Sequence, residues 1–318
     1  MSTIFPTLVE DYLEMRRSLG YRLNGREYQL RRFGRFLDHL QHRGPITTSL
    51  ALRWAADPAT GDPCQPARRL SAIRDFLRHL AVRDGATEVP PPGILGPISQ
   101  RKAPHVYSEE EITALLQAAA ELSPPGGLRP HTYVTLFSLL LCTGLRISEA
   151  IDLSRSDVDL TAGIVTVRSG KGGKTRLVPL HPTALEPLQR YATRRGEWID
   201  AGASEEFFFR TERSARLNRR TVSWTFGQLR RTLGWTAEGR TRRPRIHDTR
   251  HRFVVRRLLL WHEQGVDVDN RIPALATYLG HVLVSSVYWY LTAVPELMAV
   301  VGQRFRESVR RQPKVAGS

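Results

Sequence analysis

The sequence predicts a mainly α-helical protein of two domains, the second carrying a small β-sheet. Three observations carry this expectation. Apolar residues recur at helical spacing through the first ninety positions and again from Ser108 onward. A proline- and glycine-rich stretch without periodicity separates the two regions. Within the second region, one pair of β-rich runs flanks a glycine-rich turn.

In the first region the clearest helix is Ser71–Arg83, where Ile73, Phe76, Leu77 and Leu80 fall on one face. A second stripe runs Leu30, Phe33, Leu37, Leu40. Periodicity disappears between Asp84 and His105, and Val89-Pro-Pro-Pro-Gly-Ile followed by Gly96-Pro97 suits neither a helix nor a central strand. The domains are therefore placed at residues 1–88 and 106–318, with 89–105 as linker. Ser108-Glu-Glu-Glu-Ile has the capping-box pattern that opens a helix. An apolar helix near Tyr133–Cys142 and another starting near Arg146 follow. Gly163-Ile-Val-Thr-Val-Arg-Ser and Thr175-Arg-Leu-Val-Pro-Leu then read as the two strands of a hairpin around Gly170-Lys-Gly-Gly-Lys. From Leu217 the pattern is helical again.

Composition narrows the partners. The chain of 318 residues holds 47 Lys and Arg against 31 Asp and Glu, a net charge of +16, which argues for a polyanionic partner. Only Lys102, Lys171, Lys174 and Lys314 are lysines; the arginines supply a planar fork that matches phosphate. Arg210–Arg257 contains 15 arginines against Glu212, Glu238 and Asp248, a concentrated one-signed charge that reads as a nucleic-acid footprint, with a solvated charged face as the bland alternative. With 41% apolar residues the chain can build real cores, which excludes a disordered basic tail. Cys64 and Cys142 support neither a disulfide framework nor a zinc site. No signal pattern opens the chain, and Val134–Cys142, its most apolar run, is far short of the ~20 residues that span a bilayer, so a cytoplasmic, nucleoid-associated protein is expected.

The chemistry suggested by the side chains is attack on a phosphodiester. Charge in that transition state spreads over the non-bridging oxygens, so a site without metal needs several fixed cations and a proton donor for the leaving oxygen. Asp152, Asp157 and Asp159 sit in a polar stretch after a helix and read as caps or turns, not Mg²⁺ ligands. The sequence Gly170–Thr175 lacks GxxxxGK[ST] spacing and lies between strands, which excludes a nucleotide phosphate loop. Arg146 follows the Thr143-Gly144 turn at the end of a very apolar helix, so it projects from a rigid support. Arg250 lies three residues after His247, on the same face of a helix. Taken alone, His247 reads first as a capped core histidine.

Four segments together resemble the tyrosine recombinase (phage integrase) family: Cys142-Thr-Gly-Leu-Arg-Ile-Ser-Glu149, Ser169–Pro179, Ile246-His-Asp-Thr-Arg-His251, and Leu279-Gly-His281 followed nine residues later by Tyr290. The likeness spans roughly residues 105–300 and extends more weakly to the helical amino-terminal region. The ending Tyr288–Met298 further resembles integrases of mobile elements. What the resemblance implies is a helical core-binding domain and a catalytic domain closing around double-stranded DNA as a C-shaped clamp. It implies Arg146 and Arg250 as catalytic arginines and His247 as the first catalytic histidine. Lys171, with Lys174 as alternative, would be the general acid for the leaving 5′ oxygen, and His281 a hydrogen-bonding partner of the scissile phosphate. The spacing from His281 selects Tyr290 as nucleophile over Tyr278 and Tyr288; His181, His251 and His262 stay structural.

The implied reaction runs through a 3′-phosphotyrosyl bond and a Holliday junction, needs no cofactor or metal, and calls for a homotetramer on two DNA sites, with accessory DNA-binding proteins possible partners. Other readings are a Xer-like chromosome-dimer resolvase, a type IB topoisomerase, and a DNA-binding regulator that has lost catalysis. Finally, Leu297, Val301 and Phe305 form an apolar stripe beside Met298, expected to pack either on its own domain or, by resemblance, on a neighbouring protomer.

Overall fold

A computed structural model describes residues 4–21, 23, 25–57, 62–98, 104–168, 175–198, 207–212, 216–236, 243–280, 284, 287–288 and 298. The chain divides into two compact units, Met1–Arg101 and Lys102–Ser318.

The amphipathic stripes of the first unit become four helices: α1 (Ile4–Ser18), α2 (Arg26–His39), α3 (Thr48–Ala56) and α4 (Gln65–Asp84). Their apolar faces meet in one core that includes Val9, Leu13, Leu30, Phe33, Leu37, Trp54, Ile73, Phe76 and Leu77. Helix α4 starts six residues before the expected Ser71, because Pro66 is accepted in its first turn, where no backbone N–H is needed. It stops at Gly85, which takes the left-handed conformation with φ of 65°. Leu40, expected on the α2 stripe, lies just past the end of that helix and is exposed. Val89 and Leu95, from the proline-rich stretch read as linker, pack against this first core.

The second unit is helical with one small sheet. Its elements are α5 (Glu109–Ala120), α6 (Leu128–Thr143), α7 (Ile147–Ile151), β1 (Val158–Asp159), β2 (Ile164–Val167), β3 (Arg176–Pro179), α8 (Pro182–Trp198), α9 (Arg219–Thr232), α10 (Asp248–Glu263) and α11 (Val268–Leu279). The capping box at the start of α5 forms as expected: Ser108 Oγ accepts from the Glu111 N–H, and the Glu111 carboxylate accepts from the Ser108 N–H. Helix α6 is mostly buried, with Leu136, Phe137, Leu139 and Leu140 in the core and the face of His131, Val134, Ser138 and Cys142 more open, and it packs against α5, α8 and α10. So apolar a helix belongs near the centre of a domain.

The two β-rich runs pair antiparallel as β2 and β3, Val165 opposite Val178 and Val167 opposite Arg176. Val165, Val167 and Val178 turn to the core, as alternation requires. The two-residue β1 adds a third strand in the order β1-β2-β3. The aspartates between α7 and β2 act as the sequence suggests: Asp157 accepts from the Ser154 N–H and Asp159 from the N–H groups of Thr161 and Ala162. No helix among the described residues is long and apolar enough to cross a membrane.

Candidate active site

The site is built where the carboxyl ends of two helices meet. Helix α6 ends at Gly144 and α11 at Gly280, both in the left-handed conformation, with φ of 64° and 65°. A Cβ at Gly144 would come within 2.7 Å of the Phe253 ring, so that turn needs glycine for space as well as for φ, and a Cβ at Gly280 would come within 2.8 Å of the Arg176 guanidinium and push it aside. Carbonyls at a helix carboxyl end carry partial negative charge and lack intrahelical partners. Two arginines take them up. Arg250, from the first turn of α10, donates to Gly144 O and to Leu279 O, both at 2.7 Å, and only 2% of its surface is exposed. Arg146, which caps α7, donates through Nη2 to Gly280 O at 3.3 Å. Neighbouring carbonyls of α11 thus hold Arg146 and Arg250 side by side.

Glu149, three residues beyond Arg146, completes the arrangement. Its carboxylate accepts from the Arg146 backbone N–H at 2.9 Å and from Arg146 Nη1 at 2.7 Å. The same carboxylate takes a two-pronged contact from Arg176 of β3, Nη1 at 3.1 Å and Nη2 at 2.8 Å, while Arg176 Nε donates to Tyr278 O at 2.8 Å. Burial alone would raise the pKa of Glu149, but the bonds from Arg176 and from Arg146 overcome it and hold the group at about 2. In an unfolded chain this carboxyl titrates near 4.5. Its contribution to stability is therefore complete above that value and is lost as pH falls toward 2. Glu149→Gln should accordingly lower the urea midpoint at neutral pH, and the gap to the parent protein should narrow steadily below about pH 4.5. Urea melts followed by circular dichroism across that range check the expectation; a gap independent of pH would contradict it.

His247 immediately precedes α10, and its ring meets that of His251 edge to face at 5.0 Å. Below them Asp248 is fully buried and accepts from the Arg245 N–H and from Arg245 Nη2, both at 2.8 Å. The loop before the helix is pinned by Tyr107, whose hydroxyl donates to Arg245 O at 2.9 Å. Crowding by protein, then the charges of Arg250, Arg245 and Arg146, push the His247 pKa below its ordinary value, against the opposing pull of Asp248. For His251, burial and the His247 ring lead, and the value falls to about 4. Both shifts favour the neutral ring at neutral pH, the form whose bare nitrogen accepts a hydrogen bond.

The structure therefore brings together three of the residues singled out in the sequence, Arg146, His247 and Arg250. Lys171, Lys174, His281 and Tyr290 lie outside the described residues, as do Leu297, Val301 and Phe305 of the apolar stripe. Sequence reasoning passed over Glu149 and Arg176, and left His251 structural. The signals for the first two existed: a carboxylate three residues after Arg146 on a helix, and an arginine opening the second β-run.

This fold, two helical units with a three-stranded sheet in the second, is similar to that of solved integrase structures. A Tn1549 transposon integrase in complex with circular intermediate DNA superposes with a TM-score of 0.63 at 18% identity, over 89% of this chain and 94% of that one. A lambda integrase dimer bound to a COC′ core site gives 0.58 at 20% identity, over 89% and 76%. In sequence, a protein of Sinorhizobium fredii named as an integrase/recombinase, y4rB, is 40% identical over 98% of this chain and 97% of its own length. The tyrosine recombinase XerC of Pelobacter propionicus is 30% identical over 78% and 75%. The pattern of the phage integrase family matches residues 105–296. The chain belongs to the phage integrase family and is a tyrosine recombinase.

Proposed function

We propose that this recombinase integrates or rearranges a mobile DNA element, with Tyr290 as nucleophile. The observation that carries the reading is the pairing of Arg146 and Arg250 on adjacent carbonyls of α11, beside a neutral His247. Two fixed guanidiniums suit the non-bridging oxygens of a phosphodiester, and the neutral imidazole suits proton removal from a phenol. Tyr290 attacks phosphorus to give a 3′-phosphotyrosyl bond, while Lys171 delivers a proton to the departing 5′ oxygen and His281 hydrogen-bonds the phosphate. The 5′-hydroxyl of a partner strand reverses the step. Two sequential pairs of such exchanges, through a Holliday junction, call for four protomers on two DNA sites. The amino-terminal helical domain, drawn at residues 1–88, and the catalytic domain, drawn at 106–318 with 89–105 as linker, both bind DNA; accessory DNA-binding proteins would act on this assembly, in the nucleoid-associated cytoplasm.

The basic run 210–257 enters this reading in part. Arg250 belongs to the site itself, while Arg245 is bound to Asp248 and Arg252 pairs with Glu109, so none of these adds to an open basic face. Arg219, Arg220, Arg231 and Arg243 are exposed and are the members offered to phosphates. Changing these four to Gln should flatten the plot of log Kd against log salt, by about 0.9 for each phosphate they neutralise in the parent complex. An unchanged slope would mark them as a solvated face.

A pool of nicked duplexes with a randomised centre tests the function. A nick just downstream of the cleavage point lets the short fragment that bears the free 5′-hydroxyl diffuse away and traps the covalent adduct. Sequencing the trapped DNA should return one enriched site. Recovery of adducts with no sequence preference would favour a topoisomerase, and specific binding without adduct would favour a regulator.

A further inference from the structure

The reaction as proposed uses Arg146 but leaves unexplained why its partner Glu149 is held by a second arginine from another part of the fold. We propose that Arg176 is a positioning residue for Arg146, acting through Glu149 to leave Arg146 available to the scissile phosphate; the inference rests on the functional reading above.

The geometry runs in one chain of contacts. Arg176 opens β3 in register with Val167, so its backbone is fixed by the sheet. Its Nε is committed to Tyr278 O near the end of α11, and both Nη atoms reach the two oxygens of Glu149. Glu149 in turn holds Arg146 by backbone and side chain. The left-handed turn at Gly280 keeps the space that the Arg176 guanidinium occupies.

Charge makes the arrangement more than a staple. A buried Glu149 facing Arg146 alone would form a neutral pair, and a neutral pair draws a phosphate weakly. With Arg176 added, one carboxylate is shared by two guanidiniums and the group keeps a positive charge. The side chain of Arg146 is the more open of the two arginines, 22% exposed against 11% for Arg176, so the surplus falls on the arginine that can reach substrate. Lysine could supply the charge but not three donors aimed at Glu149 and Tyr278 together.

The test is a double-mutant cycle on the duplex enriched in the trapping experiment, read as the single-turnover rate of adduct formation. Arg176→Ala should slow adduct formation by about 10–100-fold, the range expected for a misplaced catalytic group, with Kd for the duplex little changed. Arg146→Ala/Arg176→Ala should be no slower than Arg146→Ala, because residues acting through one another do not add. Circular dichroism reports whether Arg176→Ala folds; if it does not, Arg176→Lys replaces it and should show the same loss and the same lack of additivity with Arg146→Ala. Rates within about twofold of the parent protein, or losses that multiply in the double variant, would overturn the inference. Failure of the parent protein to form any adduct would instead sink the functional reading. Parent cleavage that Arg146→Ala disables and Arg176→Ala leaves intact would sink only the role of Arg176.

Discussion

Tyr290→Phe should bind DNA nearly as tightly as the parent protein and form no covalent adduct at all. The substitution removes a single oxygen and leaves ring volume and the arginines unchanged, so affinity, set mainly by phosphate contacts, is preserved. The neighbouring tyrosines are poor substitutes for physical reasons visible in the structure. Tyr278 stacks on Phe253 with ring centroids 5.7 Å apart, and burial pushes its phenol up to about 12. The Tyr288 hydroxyl donates to Asp269 at 3.2 Å; desolvation and that carboxylate raise its pKa as well. A nucleophilic phenol needs the opposite environment, close to Arg146, Arg250 and a proton acceptor. Tyr288→Phe and Tyr278→Phe should therefore keep adduct formation. Adducts surviving Tyr290→Phe and disappearing with Tyr288→Phe would reassign the nucleophile.

The arginines should give the next largest effects, and the two should differ in kind. Removing a charge-assisted donor to a transition-state oxygen costs about 3–4 kcal/mol, or ~10²–10³ in rate. Arg146→Ala should show that loss with a smaller drop in melting temperature than Arg250→Ala, since its guanidinium is partly open to solvent and Arg176 still holds Glu149. Arg250→Ala should lose cleavage to a similar extent and also destabilise the domain. It opens a cavity and strips Gly144 O and Leu279 O of their donor, a cost of about 1–3 kcal/mol for buried groups left unpaired. Adduct kinetics and thermal melts on the same samples separate the two behaviours. Full cleavage by either variant would remove that arginine from the site.

Local signals carried much of this structure into the sequence. The stripe on α4, the capping box at Ser108 and the antiparallel hairpin each depend on residues within a few positions of one another, and each formed. Elements that depend on distant partners were less legible. The strand β1 is two residues long, too short for any alternation to show, and exists because β2 offers it an edge. Leu40 continues the α2 stripe in sequence, but the helix ends before it. The same distinction runs through the site. Arg146, His247 and Arg250 stood out because their neighbours form short motifs. Arg176 gains its meaning only from Glu149 and Tyr278, 27 and 102 residues away, which the fold alone brings to it.

The central claim is that DNA becomes joined to Tyr290 through its 3′ phosphate. The most direct measurement is proteolysis of the trapped adduct, followed by nuclease trimming and tandem mass spectrometry of the peptide that retains a nucleotide. The account predicts one modified peptide, with a nucleoside 3′-phosphate esterified to the phenol of Tyr290. The same mass found on Tyr278, Tyr288 or a serine, or a 5′-phosphate linkage in its place, would contradict it.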